Sequence, residues 1–273
     1  MKNLRNTREK SSPPRCRELA ALPSHLPRGD FPGMMSYLMK SYRGFLLDAD
    51  NTLFDYDRAE REALDETLGE TAPSVPREKA LAVYRAINAG YWKRFEQGAI
   101  TLAALKVERF ADLVRELGVT GDARLISNAY LARLGSKAYF LPHARDLVVE
   151  LSRRAALCLV TNGISQVQRG RLALSGIAPC FTAVLISEEL GCAKPDLRFF
   201  QAACEALRLP PSELLCVGDN PDSDIAGARS AGIDACWYSP SGAAWPGPAH
   251  APAWVIRDLE ELMRFAPTVS PGA

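Results

Sequence analysis

Residues 44–57 read Gly-Phe-Leu-Leu-Asp-Ala-Asp-Asn-Thr-Leu-Phe-Asp-Tyr-Asp, and this stretch constrains the chain more than any other. The apolar run Phe45-Leu46-Leu47 leads straight into Asp48, with Asp50 and Thr52 following at steps of two. A short apolar run bounded by polar turn residues reads as a buried strand. Asp48 then sits at the strand's carboxyl end, where ligands and chemistry collect in open α/β sheets. Once the chain turns, both carboxylates can face one pocket. One can attack phosphorus to form an aspartyl-phosphate. The other can give a proton to the leaving oxygen and later take one from water. Their mutual repulsion calls for a cation, and Mg²⁺ prefers such oxygen ligands. An Asp-rich turn that only caps backbone groups is the competing reading, and this stretch alone does not decide between the two.

The rest of the chain alternates. Helical patterns are expected over 57–68, 76–97, 101–117 and 123–134, with no strand signal among them. In the second of these, Leu81, Tyr84, Ile87, Tyr91 and Phe95 recur at helical spacing. An all-helical insertion between two strands is a candidate lid. From Pro142 onward the pattern predicts helices over 143–154, 165–175, 195–207 and 225–231. Strands are predicted over 155–160, 182–186, 213–217, 233–237 and 253–256. Strands alternating with helices argue for a doubly wound parallel sheet.

Two further predicted strand ends carry polar clusters, Thr161-Asn162-Gly163 and Gly218-Asp219-Asn220, and Ala193-Lys194-Pro195-Asp196 opens a helix. In a parallel sheet these strand ends share one edge with Asp48, Asp50 and Thr52. Around a phosphoryl group each has a use. The Thr161 hydroxyl and the neighbouring backbone N–H can bind phosphate oxygens at a helix N-terminus. Lys194 can neutralise phosphate and nucleophile as a point charge. Asp219 can complete a Mg²⁺ site, with Asp224 behind it orienting ligands or water. Each cluster by itself also reads as turn or cap chemistry. Their joint occurrence at successive strand ends favours the site.

Composition removes several classes. A formal net charge of +1 invites neither a nucleic acid polymer nor an anionic membrane. Seven scattered cysteines without close pairs fit free thiols in a reducing cytoplasm rather than a disulfide framework or a zinc site. No apolar run approaches the ~20 residues of a membrane span. Residues 1–33 are rich in Pro, Arg and Lys and lack a periodic apolar face. We expect disorder over residues 1–40 and a flexible tail over 261–273.

These motifs, in this order, resemble those of the haloacid-dehalogenase superfamily of phosphatases: Asp48-Ala-Asp-Asn-Thr, Thr161-Asn-Gly, Lys194-Pro, and Gly218-Asp-Asn-Pro-Asp-Ser-Asp. The resemblance spans roughly residues 41–257. It implies an α/β fold: a doubly wound, Rossmann-like core over 41–56 and 140–260, with an all-helical cap inserted over 57–139. It also implies Asp48 as nucleophile and Asp50 as acid and base. Mg²⁺ is expected on Asp48, the Asp50 carbonyl and Asp219, and phosphate on Thr161, Asn162 and Lys194, with Thr52 and Asp224 behind them. A small phosphate ester is the implied partner, and the oligomeric state is left open.

Within the superfamily, several stretches look like the pyrimidine 5′-nucleotidase branch. They are Leu47-Asp-Ala-Asp-Asn-Thr-Leu-Phe, Tyr91-Trp with Gly98 and Ile100-Thr101, Ile186-Ser-Glu-Glu-Leu-Gly-Cys-Ala-Lys-Pro, and Gly232-Ile-Asp-Ala-Cys-Trp. The implied activity is phosphate removal from nucleoside monophosphates; a broad small-metabolite or sugar phosphatase is the alternative. A dehalogenase of the same fold would need neither Asp50 as acid nor a metal site, and Thr52 fits a phosphatase better than a mutase. An inactive binding protein would not need every catalytic position filled. In the cap, Tyr91 and Phe95 continue the apolar stripe. Trp92 lies off it and is the candidate for contact with a base.

Overall fold

The computed structural model of the chain describes residues 40–246 and 251–268. Strand β1 (Gly44–Asp48) is followed by four helices, α1 (Tyr56–Thr71), α2 (Arg77–Glu96), α3 (Leu102–Leu117) and α4 (Ala123–Gly135). Then come α5 (Ala144–Leu151), β2 (Ala156–Thr161), α6 (Ser165–Ser175), β3 (Ala183–Ile186), α7 (Ser187–Leu190), α8 (Leu197–Leu207) and β4 (Leu214–Gly218). A π-helical segment (Pro221–Ala226) runs into α9 (Gly227–Ser230), followed by β5 (Asp234–Tyr238) and β6 (Trp254–Ile256).

The six strands form one sheet in the order β3-β2-β1-β4-β5-β6, every pair parallel. The alternation along β1 explains how it is covered. Phe45 and Leu47 enter one core with Leu157, Leu159, Leu215 and Val217. Leu46 enters the opposite core with Cys158, Cys216 and Phe199. Side chains that alternate across a sheet buried on both faces give the continuous apolar runs seen in the sequence. Chain order reverses between β1 and β4, so the crevice of such a sheet opens at the ends of these two strands.

Helices α1 to α4 have a core of their own, in which Leu64, Leu81, Tyr84, Phe110, Leu113, Tyr130 and Leu131 are buried. Ile164 and Val167 of the α6 region join that core and tie the inserted helices to the sheet. The two linkers to the insertion pair with each other: Phe54 bridges Phe140, their rings stack at 5.2 Å, and Asp55 N donates to Tyr139 O at 2.9 Å.

Several expectations need correction. The tail expected to be flexible over 261–273 carries, at its start, part of a 3-10 helix, Leu259–Phe265, in which Leu262 and Phe265 are wholly buried; residues 269–273 lie outside the described residues. Its apolar spacing was too short to stand out as a helix, and packing under α5 and β6 orders it. The expected helix over 225–231 is shortened to α9, because Asn220 Oδ1 accepts from Asp222 N and Ser223 N and starts the π-helical segment earlier. On α2 the buried stripe runs Leu81, Tyr84, Asn88, Tyr91, whereas Ile87 is half-buried. The disorder expected over 1–40 lies outside the described residues, apart from Lys40, which pairs with Asp234 at 2.7 Å. The six cysteines among the described residues are free. No helix among them is long and apolar enough to cross a membrane.

Candidate active site

The carboxyl ends of β1, β2 and β4 deliver Asp48, Thr161 and Asp219 to one cavity, and Lys194 comes from the turn before α8. Lys194 is 2% exposed, and its ammonium is fully used. It donates to Asp48 Oδ1 at 2.6 Å, Asp224 Oδ1 at 2.6 Å and Val160 O at 3.0 Å, three acceptors for three hydrogens. Burial works against its charge, but Asp224 and Asp48 more than restore it and hold the ammonium charged well above the ordinary lysine range.

Carboxylates outnumber ammonium here. Oxygen atoms of Asp48, Asp219 and Asp224 lie within 4.8 Å of one another. Burial raises the Asp48 carboxyl well above its usual range; Lys194 opposes this, while Asp224 and Asp219 add to it. Burial, then the charge of Asp224, pushes Asp219 up to about 7. An excess of hard oxygen donors suits a divalent cation such as Mg²⁺. The donors are not equivalent. Both Asp224 oxygens are already engaged, Oδ1 by Lys194 and Oδ2 by Asn220 N at 3.1 Å. Asp48 Oδ2 and the Asp219 carboxylate have no such partners among the described residues, so these two residues are the fitting ligands and Asp224 is their anchor. Gly218 makes this anchor feasible, since a Cβ there would collide with the Asp224 carboxylate. Trp237 Nε1 fixes the Asp219 main chain from β5, donating to its carbonyl at 2.8 Å.

Of the other expected residues, Asp50, Thr161 and Asn162 line the cavity and Thr52 does not. Asn162 lines it, but its amide is spent on the Lys194 backbone: Nδ2 donates to Lys194 O and Oδ1 accepts from Lys194 N, each at 2.8 Å. Its main chain alone is left for a phosphate. Thr161 Oγ1 accepts from Gly163 N at 3.0 Å, and its own hydrogen remains to be donated. Thr52 is wholly buried, with no hydrogen-bond partner for its hydroxyl among the described residues. Asp50 lines the cavity, yet its carboxylate is absent from the acidic cluster. Gln168 Nε2 donates to it at 2.7 Å, and the wholly buried Arg171 forms an ion pair with it.

Tyr56, Asn88, Trp92 and Glu96 of the inserted helices line the same cavity. Trp92 was expected there. Tyr91 is turned into the helical block and donates to Asp112 Oδ2 at 2.9 Å. Gln168, Arg171, Asn88 and Glu96 were not anticipated. A signal existed for three of them: Gln168 and Arg171 on α6, and Asn88 on α2, are polar residues at positions of an apolar stripe.

The model of haloacid dehalogenase-like hydrolases matches residues 42–232. Pyrimidine 5′-nucleotidase PynA of Streptococcus pneumoniae is 35% identical over 201 residues, covering 73% of this chain and 84% of PynA. Phosphoserine phosphatase of Thermus thermophilus is 35% identical over 208 residues, covering 74% of this chain and 82% of that enzyme. Among solved structures, magnesium-bound YfnB of Bacillus subtilis aligns at 34% identity with a TM-score of 0.74, covering 82% of this chain and 97% of YfnB; that structure reveals interdomain movement.

Proposed function

The chain belongs to the haloacid dehalogenase-like hydrolase family, and from that premise we propose a Mg²⁺-dependent phosphatase of pyrimidine nucleoside 5′-monophosphates. The observation that carries the reaction is Asp48, buried at the end of β1 against Lys194 and sharing one cavity with Asp50, Thr161 and Asp219.

Asp48 attacks phosphorus, the bond from phosphorus to the ester oxygen breaks, and an aspartyl-phosphate forms. Asp50 gives its proton to the departing alkoxide. It then takes a proton from the water that attacks the phosphoenzyme, which releases phosphate and restores Asp48. Lys194 holds the nucleophile in place and offsets the charge of the incoming phosphate, while Thr161 donates to a phosphate oxygen. Asp48, the Asp50 carbonyl and Asp219 are the residues to hold Mg²⁺, which when bound would neutralise charge on the transferring group. Gln168 and Arg171 fix where the Asp50 carboxylate starts from. A cap over residues 57–139 closes the cavity and selects the substrate.

The lining of the cavity supports a nucleoside rather than an amino acid as the leaving alcohol. A phosphoserine carboxylate needs a free cation, and among the described lining residues the only cation is Lys194, whose hydrogens are all taken. Glu96 on the cap side would repel such a carboxylate, whereas Trp92 offers an aromatic face. The test is a panel of UMP, dUMP, dTMP, ribose 5-phosphate and phosphoserine, with and without Mg²⁺. The proposal expects Mg²⁺-dependent phosphate release and the highest kcat/KM on pyrimidine nucleotides. A preference for phosphoserine or the sugar phosphate would overturn the substrate reading.

A further inference from the structure

Arg109 on α3 is a charge in the middle of the cap's apolar core. It is 1% exposed, and its guanidinium lies 5.1 to 5.8 Å from the ring centres of Tyr84, Phe110 and Tyr130. It has no carboxylate partner among the described residues, and its Nε and Nη2 have no hydrogen-bond partner there. Its one hydrogen bond goes from Nη1 to Asn88 Oδ1 at 2.7 Å. Burying a charge without a counter-ion is costly, and here three aromatic faces and one amide oxygen offset that cost.

That contact settles the chemistry of Asn88. A guanidinium can only donate, so the atom facing it must be the amide oxygen. On the other side Nδ2 lies 3.4 Å from Glu60 Oε1, which can only accept while ionised. Glu60 is itself held by Arg85 at 2.7 Å. The amide therefore cannot flip. Its oxygen is consumed, and one Nδ2 hydrogen has no acceptor in the described chain. Asn88 lines the cavity that holds Asp48 and Lys194, and Trp92 and Glu96 follow it at successive steps of four along α2. Residues four apart share a helix face.

We propose that Asn88 is a specificity-determining residue that donates Nδ2–H to a ring carbonyl of the substrate's base, and that Arg109 is its positioning residue. This rests on the nucleotidase reading above and names the group that reading requires the cap to recognise. A neutral amide held as a donor can donate to a ring carbonyl, which uracil, thymine and cytosine all carry at the carbon between the two ring nitrogens. It cannot bond to the exocyclic amine of adenine, which would have to turn a ring nitrogen toward it instead. Arg109 strengthens the device by polarising the amide in a low-dielectric setting.

The test measures kcat and KM for UMP, AMP and ribose 5-phosphate in wild type, Asn88→Asp, Asn88→Ala and Arg109→Met, with folding checked by circular dichroism. Asn88→Asp keeps the size and the bond to Arg109 but removes the donor. The expected result is a rise in KM for UMP of about 10-fold to 100-fold, the scale of a lost hydrogen bond that leaves a buried group unpaired. KM for ribose 5-phosphate and kcat stay within about 2-fold, since neither depends on the base contact. Arg109→Met should raise KM for UMP likewise and leave ribose 5-phosphate alone; a purely structural role would impair both substrates together. Equal losses on both substrates overturn the inference. Unchanged discrimination in Asn88→Asp, with UMP still preferred by wild type, overturns the inference alone. Wild type that cleaves ribose 5-phosphate as well as UMP overturns the nucleotidase reading with it. If no variant folds, wild type decides on 2-thio-UMP, whose thiocarbonyl sulfur accepts weakly: a KM well above that for UMP upholds the inference, and equal values overturn it.

Discussion

Lys194 Nζ stands 2.6 Å from Asp48 Oδ1 at the bottom of the cavity, and both side chains are buried. The same ammonium holds Asp224, so one positive charge ties the end of β1 to the π-helical segment after β4. Lys194→Met would leave two buried carboxylates without their counter-ion. Removing one partner of a buried pair costs about 3–5 kcal/mol. A clear fall in unfolding free energy by denaturant titration, together with loss of turnover, is expected. Full stability with activity lost would mean that Lys194 serves chemistry alone.

Asp48→Asn should abolish turnover, because an amide does not attack phosphorus. The fold should survive, since the amide oxygen still accepts from Lys194. Loss of several orders of magnitude in kcat, the scale of removing a nucleophile, is measured as phosphate release. Near-wild-type hydrolysis by the purified variant would place the nucleophile elsewhere.

Asp50→Asn removes the proposed acid and base, worth ~10²–10⁴-fold. The effect should be larger for an alkyl phosphate than for an aryl phosphate, whose leaving group needs no proton. Arg171→Met should show the same leaving-group pattern more weakly, because it frees the Asp50 carboxylate without removing it. An identical factor on both esters would take the acid role away from Asp50.

Asp219 is pushed up to about 7, by burial first and by Asp224 next. An unfolded aspartate titrates near ~3.9. Between these values the native state binds more protons than the unfolded state, so stability falls as pH rises. The contribution is present below ~4 and is lost through about pH 7. In EDTA, the wild-type melting temperature should drop over this window more steeply than that of Asp219→Asn. Mg²⁺ binding needs the ionised carboxylate, so added Mg²⁺ should flatten the drop and bind more tightly toward the alkaline side. Parallel slopes for the two proteins would assign the pH dependence to other groups.

Trp92→Ala should raise KM for a nucleoside monophosphate while sparing para-nitrophenyl phosphate. Stacking on a base is worth ~1–3 kcal/mol in nucleic-acid complexes. Trp92 also packs edge-on against Phe95 at 5.8 Å between ring centres. A thermal melt therefore accompanies the kinetics. Equal losses on both substrates, or destabilisation alone, would make Trp92 a packing residue.

The parallel α/β core, the helical insertion and the strand ends bearing Asp48, Thr161 and Asp219 are legible in the chain's local pattern. These follow from local rules: an apolar run ends at a polar turn, and a period of 3.6 gives a helix. The same pattern marks Trp92, because that residue lies off the α2 stripe. What each polar side chain does is set instead by long-range packing. Asn162 spends its amide on Lys194, 32 positions away, and Asp50 is taken by Gln168 and Arg171, 118 and 121 positions away. Arg109 reaches Asn88 across 21 positions and two helices. No local period records such pairings. A buried donor or acceptor must find a partner, but which partner it meets depends on how sheet and helices bring distant residues together.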